Sequence, residues 1–161
     1  YAGHPDYINA LCQSIRQAWE QQGETEHLVL SFHGIPQRYF NAGDPYYCFC
    51  HKTARLISEQ LQLQPHQFTL VFQSQFGPAQ WLKPSCEDTI KKLAQGGCRS
   101  MTIVAPGFAT DCLETLEELD VTYRQCFIDE GGETFVFVPA LNAESNHAKA
   151  LASLIKQVTF T

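Results

Sequence analysis

Four short, unbroken apolar runs separated by longer segments of helical periodicity predict a three-layer α/β/α domain on a four-stranded parallel sheet. The first observation is the continuity of the runs, Leu28–Phe32, Phe68–Phe72, Met101–Ala105 and Thr134–Val138. Strands without polar alternation are buried on both faces, as parallel sheets require. The second is the helix-length segment between successive runs, which βαβ crossovers need. The third is the residues just beyond three of the runs: His33-Gly34-Ile35-Pro36, Gln73-Ser74-Gln75-Phe76-Gly77-Pro78 and Pro106-Gly107-Phe108-Ala109-Thr110-Asp111. Polar and turn-forming residues at these strand ends mark one rim, where open parallel sheets bind their ligands.

In chain order, Pro5–Gln22 reads as a helix with Pro5 in its first turn, where the missing N–H is no loss. The first strand, Leu28–Phe32, comes next, then a helix over Lys52–Leu61 and the strand Phe68–Phe72. Ser85, ahead of Cys86-Glu87-Asp88, is the predicted N-cap of the helix Ser85–Ala94. Gly96-Gly97 ends that helix with the freedom a left-handed turn needs. The strand Met101–Ala105, a helix over Asp111–Gln125, the strand Thr134–Val138 and a helix over Ala143–Val158 complete the chain. No internal repeat or long charge run interrupts this order, so residues 1–161 read as a single domain.

Composition bounds the function. Apolar residues make up 44% of the chain, enough to offset the entropy of ordering it. No apolar stretch approaches the ~18 residues of a membrane-spanning helix. The net charge of −6 argues against nucleic acid as the main partner, which calls for a basic face. No glycine-rich nucleotide signature is present. The seven cysteines are an odd, scattered set and read as reduced thiols of a cytoplasmic protein. Only Cys48-Phe49-Cys50-His51 is clustered; an extended chain would put both thiols on one side, but no second pair follows at zinc-site spacing. The only methionine is Met101, which with the first residues reads as a fragment or a processed protein.

Two places on the rim carry candidate chemistry. His33 stands at the tip of the first strand, where an imidazole can accept a proton, ligate a metal or simply hydrogen-bond a loop carbonyl. Position alone leaves these open. After the third strand, Glu114 and Glu118 are four apart, which on a regular helix puts both carboxylates on one face, with Leu113, Leu116, Leu119 and Tyr123 on the apolar side. A solvated acidic face or a helix-dipole contact is the ordinary explanation of such a pair. A divalent cation would relieve the repulsion between the two acids, and carboxylate with imidazole suits a first-row metal.

Taken together, Leu30-Ser31-Phe32-His33-Gly34-Ile35-Pro36, Gly43-Asp44-Pro45-Tyr46, Phe72-Gln73-Ser74-Gln75-Phe76-Gly77, Trp81-Leu82-Lys83-Pro84 and Pro106-Gly107-Phe108-Ala109-Thr110-Asp111-Cys112-Leu113-Glu114-Thr115-Leu116 resemble, in this order, the C-terminal half of bacterial ferrochelatases. The resemblance implies a chelatase-like fold and the insertion of Fe²⁺ into protoporphyrin IX to form protoheme. It implies that the N-terminal half of a two-domain enzyme is missing and that this chain alone is inactive. Iron is then a substrate, no cofactor is required, and an iron–sulfur cluster has no matching set of four cysteines. The implied partners are protoporphyrin IX, Fe²⁺ and the other half of the enzyme, with no nucleic acid. A cytoplasmic location with at most peripheral membrane contact is expected.

By the same resemblance His33 is the histidine that takes pyrrole protons or binds the incoming metal. Glu114 is the carboxylate opposite it, and both are implied as catalytic. Glu118 joins them as a metal-handling acid on a carboxylate path whose next position is Thr122 here. Gln73, Ser74 and Trp81 match residues near the porphyrin. A cobalt chelatase for another tetrapyrrole and a binding module without turnover are the competing readings. The Cys112-Leu113-Glu114 segment favours the iron enzyme over the first, and the joint presence of His33 and Glu114 argues against the second.

Overall fold

The structure, a computed structural model, describes residues 1–159; Phe160 and Thr161, the last two of the predicted domain, lie outside the described residues. The four strands are β1 (His27–His33), β2 (Phe68–Gln73), β3 (Ser100–Val104) and β4 (Thr134–Val138). They pair in parallel in the order β2-β1-β3-β4, as the continuous apolar runs predict. His33 pairs with Gln73 at the carboxyl edge, so the two residues that close β1 and β2 are neighbours on the rim.

Side chains alternate across the sheet. Leu28, Leu30 and Phe32 of β1 meet one helical layer, made of α1 (Pro5–Gln22), α3 (Tyr46–Leu61) and α7 (Ser145–Thr159). Val29 of β1, with Val71, Met101, Ile103 and Phe135, meets the other layer. That layer contains α4 (Cys86–Gln95) and α6 (Arg124–Asp129), with Ile90 and Phe127 fully buried. Ser85 caps α4 by accepting from the Asp88 N–H, and Gly97 takes the left-handed conformation beyond its end. Among the described residues no helix is long and apolar enough to cross a membrane.

Three expectations are corrected. The third helix begins at Tyr46, six residues ahead of Lys52, because the Asp44 carboxylate accepts from the Tyr46 N–H and the Pro45 carbonyl from the Phe49 N–H. Cys48 and Cys50 therefore lie on a helix, one exposed and one buried, and not on one side of an extended chain. A short helix, α2 (Gln37–Asn41), fills the loop after β1; five residues are too few for a periodic signal. The segment Asp111–Gln125 is no regular helix. It divides into α5 (Leu113–Leu116), a π-helical turn (Glu118–Tyr123) and α6.

The π turn is set by the Thr122 N–H, which bonds the Glu117 carbonyl five residues back at 2.9 Å. Leu119 and Tyr123 are buried as expected, but Leu113 and Leu116 are 77% and 50% exposed. Those two belong to the short α5 segment, ahead of the point where the chain turns its apolar side to the sheet.

Candidate active site

The rim is assembled by backbone contacts between the ends of β1 and β2. The Gly34 N–H donates to the Gln73 carbonyl at 2.8 Å. Beyond it, Leu82 N–H donates to Ile35 and Gln37 N–H to Gln80, which lays the 80–82 segment along the loop after β1. Trp81 is thereby held next to Gly34, with its indole N–H on the Phe76 carbonyl at 3.1 Å.

His33 is half-buried, and its Nδ1 lies 2.7 Å from the carbonyl of Gly34. A carbonyl only accepts, so a neutral ring held this way carries its proton on Nδ1 and bears the lone pair on Nε2. The hydrogen bond to a loop carbonyl is realised, and with Nδ1 anchored in this way the lone pair of a neutral ring lies on Nε2. The Tyr46 hydroxyl donates to the His33 carbonyl at 2.9 Å, and the Phe108 ring lies 6.3 Å from the imidazole.

Glu114 stands in α5. The Cys112 thiol and the residue's own backbone N–H hold its carboxyl below the usual range, with a smaller pull from His33. It is ionised at neutral pH. No hydrogen bond or ion pair joins His33 to Glu114 among the described residues.

Glu118 has different surroundings. Its Oε1 accepts from the Ser74 N–H at 2.7 Å and the Tyr123 hydroxyl at 2.8 Å. Its Oε2 accepts from the Ser74 hydroxyl at 2.5 Å and the Gln73 amide at 3.1 Å. Gln73 and Ser74 are 0% and 2% exposed, so their side chains face inward to this carboxylate. The Gln73 amide also donates to the Glu114 carbonyl at 2.7 Å, tying α5 to the end of β2. Among the described residues no three His, Cys, Asp or Glu side chains converge as a metal cage. Cys50 is buried and its thiol is pushed up to about 12, which keeps it protonated.

The model of the ferrochelatase family matches residues 1–159 of this chain. The chain belongs to the ferrochelatase family. Among relatives, it is 49% identical over 155 residues to the ferrochelatase of Aeromonas hydrophila, a match covering 96% of this chain and 48% of that protein. It is 46% identical over 157 residues to that of Nitrosococcus oceani, covering 98% and 43%. A protein named ferrochelatase 2 in Shewanella oneidensis is 47% identical over 156 residues, covering 97% and 48%. The chain spans less than half the length of these relatives.

Within this ferrochelatase chain, the structure gathers His33, Trp81, Gln73, Glu114, Ser74 and Glu118 into one connected rim, linked through Gly34 and the Gln73 amide. Sequence reasoning missed three participants. Ser31 is fully buried and donates to the Gln73 amide oxygen at 2.8 Å; a lone hydroxyl inside an apolar strand was its signal. Tyr123 reads as apolar packing, yet its phenol reaches Glu118. Asn142, across from Asp111, has no local signal, because their pairing joins loops 31 residues apart. Thr122 turns outward and donates to Glu117 at 2.8 Å.

Proposed function

We propose that the protein to which this chain contributes inserts Fe²⁺ into protoporphyrin IX, releasing the two pyrrole protons and forming protoheme. The observation that carries this reading is His33. Its anchored Nδ1 leaves Nε2 as a base or ligand on the same rim as an ionised Glu114. The neutral Nε2 accepts a pyrrole proton or meets the incoming metal, and the Glu114 carboxylate stabilises the positive charge that develops. Proton transfer of this kind contributes ~10²–10⁴-fold. Trp81 and the Gln73-Ser74 turn stand near the macrocycle, Trp81 from its place beside Gly34 and the turn by holding Glu118 and the Glu114 backbone.

The macrocycle needs a second wall, and this chain spans less than half of its relatives. The remaining half of the enzyme supplies that wall, so the 161-residue chain alone binds and converts little porphyrin. Binding energy made across both walls is what distorts the ring and exposes its nitrogen lone pairs. Iron enters as a substrate and no resident cofactor is needed.

The test is Zn²⁺ insertion into protoporphyrin by the intact protein, monitored by fluorescence, against His33→Ala. Insertion that falls at least ~10²-fold in the variant, with porphyrin binding retained, is the expected result. Porphyrin bound tightly without insertion by the wild type would replace the chelatase reading with a binding module.

A further inference from the structure

The acid Glu118 is the second carboxylate on the rim, and its geometry is that of an anchor. Both oxygens are engaged, by four donors from three residues: the Ser74 N–H and hydroxyl, the Gln73 amide and the Tyr123 phenol. Those three residues are buried. A carboxylate offers about four lone-pair sites, so this set satisfies it. A cation passing through Glu118 would have to displace buried donors that have no other acceptor of comparable strength.

Two further features show what the anchor holds. Ser74 has φ 57°, a left-handed conformation that costs a non-glycine residue of order 1–2 kcal/mol. Strain of that kind persists where surrounding bonds enforce it, and here both donors of Ser74, its N–H and its hydroxyl, are drawn to one carboxylate. The Gln73 amide uses one face for Glu118 and the Glu114 carbonyl, while its oxygen is held from behind by Ser31. Glu118 and Glu114 are thus parts of one bonded assembly running from inside β1, through the end of β2, to the turn that carries Glu114.

We propose that Glu118 is a positioning residue: held by Gln73, Ser74 and Tyr123, it locks the Glu114-bearing turn to the end of β2 and is not a station for the incoming cation. This rests on the chelatase reading above. Tyr123 and Ser31 act at the two ends of the assembly and touch no substrate.

The test measures Zn²⁺ insertion by the intact protein in Glu118→Gln, Tyr123→Phe and Ser31→Ala, together with urea unfolding of each variant and of the Ser31→Ala/Tyr123→Phe double variant. Positioning predicts that kcat falls roughly tenfold in Tyr123→Phe and more in Glu118→Gln, with KM for Zn²⁺ within about twofold of wild type. It also predicts that the two outer substitutions are coupled in unfolding, since both act on one assembly. A cation station predicts the reverse split: KM for Zn²⁺ raised tenfold or more in Glu118→Gln with kcat kept, and no loss in Tyr123→Phe, which leaves the charge in place. Either of those results overturns the proposal. Tyr123→Phe keeps the ring and decides the matter if Glu118→Gln does not fold. A wild type that inserts no Zn²⁺ sinks the chelatase reading and the cation question with it, and additive unfolding effects would then sink the assembly as well.

Discussion

Gly34 lies so close to Gln73 that a Cβ built on it would stand 2.8 Å from the Gln73 carbonyl oxygen. Real Cβ contacts do not reach that distance, and the atom in the way is backbone, which cannot swing aside. The same two residues share the hydrogen bond that joins the ends of β1 and β2, and the Gly34 carbonyl fixes the His33 ring. Gly34→Ala therefore separates the strand ends and displaces the imidazole together. We expect a loss of about 1–3 kcal/mol in urea unfolding of the intact protein, with a fall in insertion rate larger than that of surface substitutions. An unchanged unfolding midpoint would show that the rim yields without cost.

A second contact ties the loops after β3 and β4. Asp111 Oδ1 accepts from the Ala140 N–H and the Thr115 hydroxyl, both at 3.0 Å, and Oδ2 accepts from the Asn142 amide at 2.7 Å. Asn142 returns the bond by accepting from the Asp111 N–H at 2.9 Å, from a left-handed backbone with φ 47°. Asp111→Ala removes three acceptor contacts at once and loosens the start of α5. The expected cost is about 1–3 kcal/mol by urea unfolding, and Asp111→Asn, which retains one oxygen, should lose less.

How much of this was legible depends on whether a residue's partner is near in sequence. The strands were readable because Leu28–Phe32 and its counterparts are buried on both faces, so the pattern needs no knowledge of neighbours. His33 stood out by sitting at a strand tip, and the structure adds the Gly34 carbonyl that selects its tautomer. The segment Asp111–Gln125 misled because its side chains favour an ordinary helix locally. What interrupts it are bonds from Gln73 and Ser74, more than forty residues upstream, to Glu114 and Glu118. Spacing could place the two acids four apart but could not reveal that one is ionised in α5 and the other enclosed by donors. Gln73 stood out at the end of a strand and Ser31 carried a signal as a polar residue in an apolar strand, but the bond between them, 42 residues apart, could not be read locally.

Stability should fall on mild acidification through His27. This residue is buried at the start of β1, with Nε2 2.8 Å from the Thr69 hydroxyl, and burial lowers its pKa from 6.5. The unfolded chain takes up the proton below about 6.5, while the folded protein still excludes it. More protons are then bound in the unfolded state, so stability is full above that pH and drops as pH falls from it toward the lowered folded value. The slope from one such group cannot exceed ~1.4 kcal/mol per pH unit. Urea unfolding between about pH 7.5 and 5 should show this slope in the wild type and a shallower one in His27→Gln. Equal slopes would assign the acid sensitivity to other groups.

Phe127 is fully buried under the second helical layer, against the Phe135 ring at 6.1 Å and the Gly132 backbone, where a Cβ would collide with the phenyl at 2.2 Å. Phe127→Ala opens a cavity beneath the π turn and should cost about 3–5 kcal/mol in unfolding. Phe127→Leu should recover roughly half of it. Leu119 and Tyr123 pack in the same cluster, so loosening it also loosens the seating of Tyr123, whose phenol holds Glu118. Insertion by a folded Phe127→Leu variant should therefore slow, with the KM for Zn²⁺ unchanged.

Glu114 supplies the sharpest functional prediction, since its carboxyl is held low chiefly by Cys112 and its own N–H. It loses its charge only below the ordinary carboxylate range, so this acid stays ionised near neutrality and adds no limb to the insertion rate there. Glu114→Gln keeps the shape and removes the charge at every pH. The expected result is a loss in kcat of about 10²–10³-fold with porphyrin binding retained, and a pH profile of unchanged form on the lower baseline. Glu114→Asp retains the charge but draws it back by one methylene, so it should fall between the two. If Glu114→Gln kept the wild-type kcat, the charge-stabilising role given to this carboxylate would be wrong.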